Sequence, residues 1–162
     1  MSKISVLMSV YKKENPEYLR ASLESVLVQT RTADEILLIE DGPLTQELYQ
    51  VVAEYQKKCD YLHVHAMEQN VQLGRALAKG VELCQYDLIA RMDTDDIAMP
   101  DRLEKEEAYM EAHPEVDVVG GAIREFNDEG TIDRVKNMPK TQEEILELSL
   151  IHISEPTRHS LI

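Results

Sequence analysis

Several features that would place a protein in a class at once are missing from this 162-residue sequence. It has two cysteines, and no CxxC spacing relates them, so Cys59 and Cys84 are predicted to be reduced structural residues of a cytosolic protein. No apolar run approaches the roughly 18 residues that a membrane-spanning helix needs, and the N-terminus lacks the layout of a signal peptide. The sequence therefore predicts no transmembrane segment.

Basic residues are also scarce, since 17 Lys and Arg stand against 31 Asp and Glu and the formal net charge is −14. Binding to nucleic acid needs clustered Lys and Arg, so no nucleic-acid partner is expected. The same charge disfavours direct adhesion to an anionic membrane. Neither a GxGxxG nor a GxxxxGK fingerprint occurs, which argues against a Rossmann dehydrogenase and against a P-loop enzyme.

What the sequence does contain is a regular alternation of predicted strands and helices. Short apolar runs typical of buried parallel strands alternate with helices whose apolar residues recur every three or four positions. This order predicts an α/β fold with a mainly parallel sheet, right-handed crossovers and helices on both faces. The predicted strands are 4–10, 35–40, 61–67, a fourth ending near 93, and a final pair at 116–123 and 131–135.

The apolar spacing also predicts which side of each helix is buried. A helix starting at Pro16 is capped by Asn15, a helix follows Thr45, and another spans 100–113. Thr141 and Glu144 are spaced as a capping box for a last helix. The predicted inner faces of the second and third helices are Leu48, Val51, Val52 and Tyr55, and Leu73, Ala76, Leu77 and Val81.

The most informative segment is 88–96, where an apolar run ends in Asp93, Asp95 and Asp96. Carboxylates repel one another, so such a cluster is unfavourable unless a cation lies among them. A hard divalent cation prefers oxygen ligands, which favours a metal site over the alternative of a solvated acidic loop. An EF-hand does not fit, because Ile97 occupies a ligand position and the glycine is missing.

Polar residues also follow the first three predicted strands: 11–15, then Asp41 and Gly42, then Asn70 with Arg75 beyond it. Because the carboxyl ends of parallel strands lie at one edge of a sheet, these residues can converge on one crevice. Simpler interpretations stay open for each. Asp41 and Gly42 fit an ordinary turn, Asn70 fits a helix cap, and Arg75 fits a solvated helix face.

Taken in order, these segments resemble the family 2 glycosyltransferases, whose nucleotide-binding half has the GT-A fold. The similarity covers residues 2–119, and segments 8–14 and 91–93 are most similar to enzymes that build bacterial exopolysaccharide, capsule or lipopolysaccharide. The resemblance implies a Rossmann-like GT-A fold, incomplete at the C-terminus, in a cytoplasmic protein. A location at the inner face of the membrane stays open for the full-length enzyme. The strings that carry the resemblance are 4–12, 23–30, 36–42, 70–77 and 91–96.

The resemblance also implies an activity, namely a metal-dependent, inverting transfer of a sugar from a UDP- or GDP-linked donor to a saccharide or lipid-linked saccharide acceptor. Asp41 would accept a hydrogen bond from the nucleobase and, as a turn carboxylate, would contribute little to folding. Asp95 and Asp93 would bind Mg²⁺ or Mn²⁺ at the diphosphate, and Asp93 would also meet the ribose. The implied donor-binding residues are Val10, Tyr11, Glu14, Asp41, Asn70, Arg75, Arg91, Asp93 and Thr94.

The C-terminal residues are predicted to be foreign to the domain. Residues 148–158 are similar to the translated reading frame of a sequencing adapter, so we expect 1–147 to be a truncated nucleotide-sugar-binding domain and 148–162 an unstructured tail. In the family the catalytic base is an Asp or Glu further along the chain, so the catalytic residue is unknown. Two alternatives stay open: a donor-binding fragment without transfer activity, and a nucleotidyltransferase of similar fold.

Overall fold

A computed structural model describes residues 2–126, 132–139, 141, 143–144 and 146–147. The tail at 148–162 and the turn expected at 127–130 lie outside the described residues. The chain divides into two compact units, 1–115 and 116–162. The elements of the first unit are β1 (Ile4–Val10), α1 (Pro16–Leu27), β2 (Glu35–Glu40), α2 (Gln46–Lys58), β3 (Leu62–Ala66), α3 (Leu73–Leu83), β4 (Leu88–Asp93) and α4 (Arg102–Ala112).

The first unit is built on a four-stranded sheet in the order β3-β2-β1-β4, and every neighbouring pair is parallel. Val10 of β1 pairs with Glu40 of β2, and Ser9 pairs with Asp93 of β4, so these three strands end at nearly the same level. The chain continues from β1 to β2 and β3 on one side and places β4 on the other. The sheet therefore has a switch point between β1 and β4, where open α/β sheets bind their ligands.

Helices cover both faces of this sheet, as the alternation predicted. Val6 and Met8 belong to a large core with residues of α1, α2 and α4, among them Leu19, Leu48 and Leu103. Leu7 and Ile39 point to the other face and pack with Ala76 of α3 in a smaller core. Successive side chains of a strand point to opposite faces of the sheet. Because both faces are covered by helices, most residues of a central strand are apolar.

The buried side of α2 is confirmed, but the one predicted for α3 is partly wrong. Leu73 and Val81 are 39% and 54% exposed, whereas Ala76 and Gly80 are buried. A Cβ atom at Gly80 would overlap the Leu7 side chain and lie 3.2 Å from Ile39 Cγ1. The helix thus approaches the sheet closely along its small residues, and a search for large apolar residues alone misses such a face.

The second unit contains an antiparallel pair, β5 (Ile123–Phe126) and β6 (Ile132–Lys136), so a pair of strands is confirmed, but the strand that pairs with β6 is 123–126 and not the predicted 116–123. The strand expected over 116–123 is wrong in its extent, because 116–122 are not in a strand and Val118 is 86% exposed. Gly120 and Gly121 interrupt that stretch, and glycine disfavours strand interiors. The amide of Thr141 donates to Glu144 Oε2 and the amide of Glu144 donates to Thr141 Oγ1, both at 3.2 Å, which confirms the capping box.

No helix in the described part of the chain is long and apolar enough to cross a bilayer.

Candidate functional site

The residues that follow β1, β2 and β4 are linked to one another at the carboxyl edge of the sheet. The amide of Asp41 donates to the carbonyl of Val10 at 2.8 Å. The hydroxyl of Thr94, which is buried, lies 2.8 Å from Glu14 Oε2 and 3.3 Å from the carbonyl oxygen of Ser9, and these two acceptors share its single proton. Four of the predicted donor-binding residues, Val10, Glu14, Asp41 and Thr94, are therefore held around the switch point.

Asp41, Gly42, Asn70 and Val71 form one closed group, which we call the Asp41 corner. Asp41 is only 4% exposed, and its Oδ1 accepts the amide of Val71 at 2.6 Å while its Oδ2 accepts Asn70 Nδ2 at 2.9 Å. Gly42 has φ +83°, and a Cβ there would lie 2.5 Å from the Asn70 amide nitrogen. The corner joins the β2 end to the segment before α3, so Asp41 is more than a turn residue.

Two simpler expectations about this corner are corrected by the structure. Asn70 does not cap α3, because the N-cap is Gln72 and makes no side-chain capping bond. The interpretation of Asp41 as an ordinary turn carboxylate is also wrong, because its buried side chain accepts the Val71 amide and Asn70 Nδ2, which also donates to the Asp41 carbonyl at 3.2 Å. Each carboxylate oxygen has more than one lone pair, so Asp41 can still accept a further hydrogen bond.

Residues 93–96, which we call the acidic loop, have the opposite character. Asp93 is partly exposed and receives Arg91 Nη2 on both carboxylate oxygens, at 2.6 and 2.9 Å. Asp95 and Asp96 are exposed. Desolvation by the surrounding chain, followed by repulsion from Asp95 and Asp93, raises the pKa of Asp96. The loop therefore collects negative charge that the protein only partly offsets.

The acidic loop fits a metal that is shared with a substrate rather than one enclosed by protein. Within the described residues, no group of three or more His, Cys, Asp or Glu is placed to hold a metal ion. Mg²⁺ sites at phosphate groups commonly use one or two carboxylates, keep several waters and take the remaining ligands from the phosphates. Two carboxylates at an exposed strand end, Asp93 and Asp95, suit that arrangement.

The remaining predicted residues lie at the same edge but are less closely joined. Tyr11 directly follows buried Val10 and is 44% exposed. Arg75 lies in the first turn of α3, a few residues after the Asp41 corner, and its side chain is exposed. No contact recorded between described residues links the Arg75 side chain to the acidic loop. Its interpretation as a solvated helix residue stays open.

Some residues near this edge were missed by the sequence reasoning. Glu40, at the end of β2, is buried, and burial raises the pKa of its carboxyl. Ser22, Ser25 and Gln29 of the α1 region are buried and polar. The available signal was their spacing of three and four residues alongside the apolar stripe of α1, because polar residues on a buried helix side need partners.

Comparison with known proteins identifies the family to which this arrangement belongs. The family model described as "Glycosyl transferase family 2" matches residues 5–160. The chain belongs to glycosyltransferase family 2. Among the relatives of this family 2 chain, an uncharacterized glycosyltransferase of Haemophilus influenzae is 47% identical over 148 residues, which cover 91% of this chain and 55% of that protein. The amylovoran biosynthesis glycosyltransferase AmsE of Erwinia amylovora is 41% identical over 158 residues, covering 98% and 58%.

A solved structure confirms the predicted GT-A fold. The mannosyltransferase PcManGT from Pyrobaculum calidifontis, in complex with GDP-Man and Mn²⁺, superposes with a TM-score of 0.61 at 14% identity, covering 75% of this chain and 34% of that one. At this identity the likeness concerns the fold alone. The family 2 chain spans little more than half the length of the two curated relatives.

Proposed function

We propose that this chain binds a nucleotide-diphospho-sugar, UDP- or GDP-linked, together with Mg²⁺ or Mn²⁺, and that the full-length protein transfers the sugar with inversion to a saccharide or lipid-linked saccharide acceptor. The observation that carries the proposal is the convergence of the Asp41 corner and the acidic loop at one switch point of a parallel sheet. Family membership, the name of the amylovoran relative and the GDP-Man and Mn²⁺ of the structural neighbour support it.

The Asp41 corner is the proposed nucleobase end of the site. Uracil and guanine each present a ring N–H, and a carboxylate that is already fixed by two hydrogen bonds is a well-oriented acceptor for it. Val10 and Tyr11 supply backbone beside that carboxylate, since the Asp41 amide is bonded to the Val10 carbonyl. Asn70 takes part indirectly by holding Asp41.

The acidic loop is the proposed diphosphate end. A bound divalent ion would offset the charge that builds on the departing nucleoside diphosphate. Asp95 and Asp93 would hold the ion, and Arg91 keeps Asp93 oriented through two hydrogen bonds. Thr94 ties the loop to Glu14 and Ser9, so the metal end and the base end share one framework. Arg75 is the proposed additional positive charge near the diphosphate.

An inverting transfer also needs a carboxylate base within hydrogen-bond reach of the acceptor hydroxyl. We assign this role to no described residue.

Calorimetry with UDP and GDP, each with Mn²⁺ or with a chelator, tests the proposal. We expect binding only with the metal, because the acidic loop repels a diphosphate unless a cation lies between them. Equal binding in chelator would remove the metal from the proposal. Failure of both nucleotides to bind in Mn²⁺ would overturn the function itself. UMP and GMP serve as matched ligands that lack the second phosphate and should bind more weakly.

A further inference from the structure

The helix α1 and the turn after it bury polar side chains where the neighbouring helix buries apolar ones. Ser22, Ser25 and Gln29 have 0%, 6% and 6% of their surface exposed. The buried residues of α2, which packs on the same face of the sheet, are Leu48, Val51, Val52 and Tyr55. A buried polar group is unfavourable unless it is hydrogen-bonded, so the partners of these three side chains show what they contribute.

The two serines hold both ends of the acidic loop. Ser22 Oγ donates to the carbonyl of Asp93 at 3.0 Å, where the loop begins. The amide of Ala98, two residues after the end of the loop, donates to Ser25 Oγ at 3.0 Å. Of the residues between these two points, Thr94 is buried and 95–97 are exposed. The loop is therefore fixed at both ends and open to solvent in the middle.

Gln29 holds the segment that leads from the acidic loop into α4. Its Nε2 donates to the carbonyl of Met99 at 2.8 Å, and its Oε1 accepts the amide of Leu103 at 3.1 Å. The Leu103 amide lies in the first turn of α4, where backbone donors lack helical partners. Asp101, the N-cap of α4, makes no side-chain capping bond. Gln29, in the turn after α1, thus supplies a partner that α4 lacks locally.

We propose that Ser22, Ser25 and Gln29 are positioning residues for the nucleotide and metal site, because they hold the acidic loop in one conformation. The inference rests on the proposed function. All four contacts are made to backbone atoms, so they fix the path of the loop and leave the carboxylates of Asp93 and Asp95 available to a ligand. A loop of mutually repelling carboxylates would otherwise spread apart in the absence of ligand, and binding would have to order it again.

The test compares Gln29→Leu with a core variant of similar destabilisation. Leu has nearly the volume of Gln but makes neither hydrogen bond, whereas Val51→Ala weakens the same core from α2, away from the loop. Three quantities are measured for each protein: hydrogen exchange at the Ala98 and Leu103 amides, the affinity for UDP or GDP with Mn²⁺, and the midpoint of unfolding by denaturant.

We expect Gln29→Leu to speed exchange at the Leu103 amide and to weaken nucleotide affinity roughly tenfold, as the loss of one or two ordinary hydrogen bonds suggests. Val51→Ala should lower the unfolding midpoint and leave the affinity unchanged. Ser25→Ala is the second loop variant, used if Gln29→Leu does not fold, and should speed exchange at Ala98 with a smaller loss of affinity.

Equal affinity losses in Gln29→Leu and Val51→Ala would overturn the positioning role, because stability alone would then explain them. Faster exchange with unchanged affinity would also overturn it and would leave the proposed function intact. If the unsubstituted chain binds neither nucleotide, the proposed function fails and the positioning role fails with it. The two failures are therefore distinguishable.

Discussion

The Asp41 corner and the acidic loop lie at the same edge of one sheet, yet the protein treats their carboxylates in opposite ways. In the corner, Asp41 is buried and both of its oxygens accept hydrogen bonds from Asn70 and Val71. In the loop, Asp95 and Asp96 have exposed side chains, and desolvation by the surrounding chain, followed by repulsion from Asp95 and Asp93, raises the pKa of Asp96. The difference shows that an acidic residue at this edge can stabilise the fold, bind a ligand or do both, depending on the hydrogen-bond donors that surround its carboxylate.

This contrast has an energetic consequence. A hydrogen bond to a charged group is worth about 1.5–3 kcal/mol, and a buried donor that loses its acceptor is penalised separately. Neutralising a carboxylate in the corner should therefore lower stability, whereas neutralising one in the loop removes repulsion and should affect ligand binding almost alone. Substitutions in the Asp41 corner and in the acidic loop therefore distinguish a carboxylate that stabilises the fold from one that binds the ligand.

The largest expected effect is that of Asp41→Ala. It leaves the Val71 amide without its acceptor and Asn70 Nδ2 with only the Asp41 carbonyl, so we expect the free energy of unfolding to fall by about 2–4 kcal/mol. Nucleotide affinity should also weaken, by about 1.5–3 kcal/mol, if the carboxylate binds the base. Denaturant unfolding and calorimetry on the same protein measure both.

Asp41→Asn is the matched control, because it retains an oxygen acceptor for one of the two donors. It should lose less stability than Asp41→Ala. If Asp41→Ala instead folds as stably as the parent, the corner is only a turn and the contrast with the acidic loop disappears.

The next effect concerns Asp95→Asn, which removes a proposed metal ligand and leaves the shape of the loop unchanged. Loss of a residue that merely orients a metal ligand commonly weakens metal binding 10- to 100-fold. We therefore expect metal-dependent nucleotide affinity to fall by about 100-fold or more, with the unfolding midpoint unchanged. Calorimetry in Mn²⁺ and denaturant unfolding provide the two readings.

Asp60→Asn serves as its control, since Asp60 is an exposed carboxylate in the turn before β3. This variant lowers the net negative charge equally and should bind nucleotide as the parent does. Similar binding by Asp95→Asn and the parent would make the acidic loop an ordinary solvated loop.

Features that depend on residues close together in the sequence could be predicted, whereas contacts between residues far apart in the sequence could not. The strands Ile4–Val10 and Glu35–Glu40 and the buried side of α2 follow from local periodicity, and all were predicted. The bonds of Asp41 join residues 29 and 30 positions apart, and those from Ser22 to Asp93 and from Gln29 to Met99 span 71 and 70 positions. No local pattern encodes such partners, so the sequence leaves open both a turn and a donor-binding role for Asp41.

The two errors in the fold have different origins, one long-range and one local. The side of α3 that packs on the sheet is set by the close approach of Gly80 to Leu7, which lies more than 70 residues earlier in the sequence. In the 116–122 stretch, apolar residues suggested a strand, although Gly120 and Gly121 weaken that propensity. The candidate residues were found because strand ends converge in any parallel sheet. Their individual environments required the three-dimensional structure.

A smaller effect is expected from Gly42→Ala, which tests whether the backbone of the Asp41 corner is as tightly fixed as its carboxylate. A positive φ is unfavourable for alanine by about 1–2 kcal/mol, and the added methyl group would also crowd the Asn70 backbone. We expect the free energy of unfolding to fall by at least that amount. Gly74→Ala lies in the first turn of α3, where no described residue outside the helix backbone and its chain neighbours comes within 4 Å of the added Cβ, and it should instead gain about 0.4–1 kcal/mol. Equal effects at the two glycines would show that the corner can relax.

The smallest effect is expected from Glu40→Gln. This substitution tests whether the stabilising role expected of Asp41 comes from its burial alone or from the hydrogen bonds that it accepts. Glu40 is the neighbour of Asp41 and is also buried, but burial raises the pKa of its carboxyl above the ordinary value. The ionised form therefore lowers stability at pH values above the folded-state pKa, and this penalty disappears as the pH falls towards the unfolded-state pKa.

Glu40→Gln should accordingly be more stable than the parent at pH 7, by less than about 1 kcal/mol. The two proteins should converge in denaturant unfolding near pH 4.5, the ordinary pKa of glutamate. If Glu40→Gln loses stability at pH 7, as Asp41→Ala is expected to do, its carboxylate is also satisfied in the fold, and the contrast between the two regions then extends along the whole end of β2.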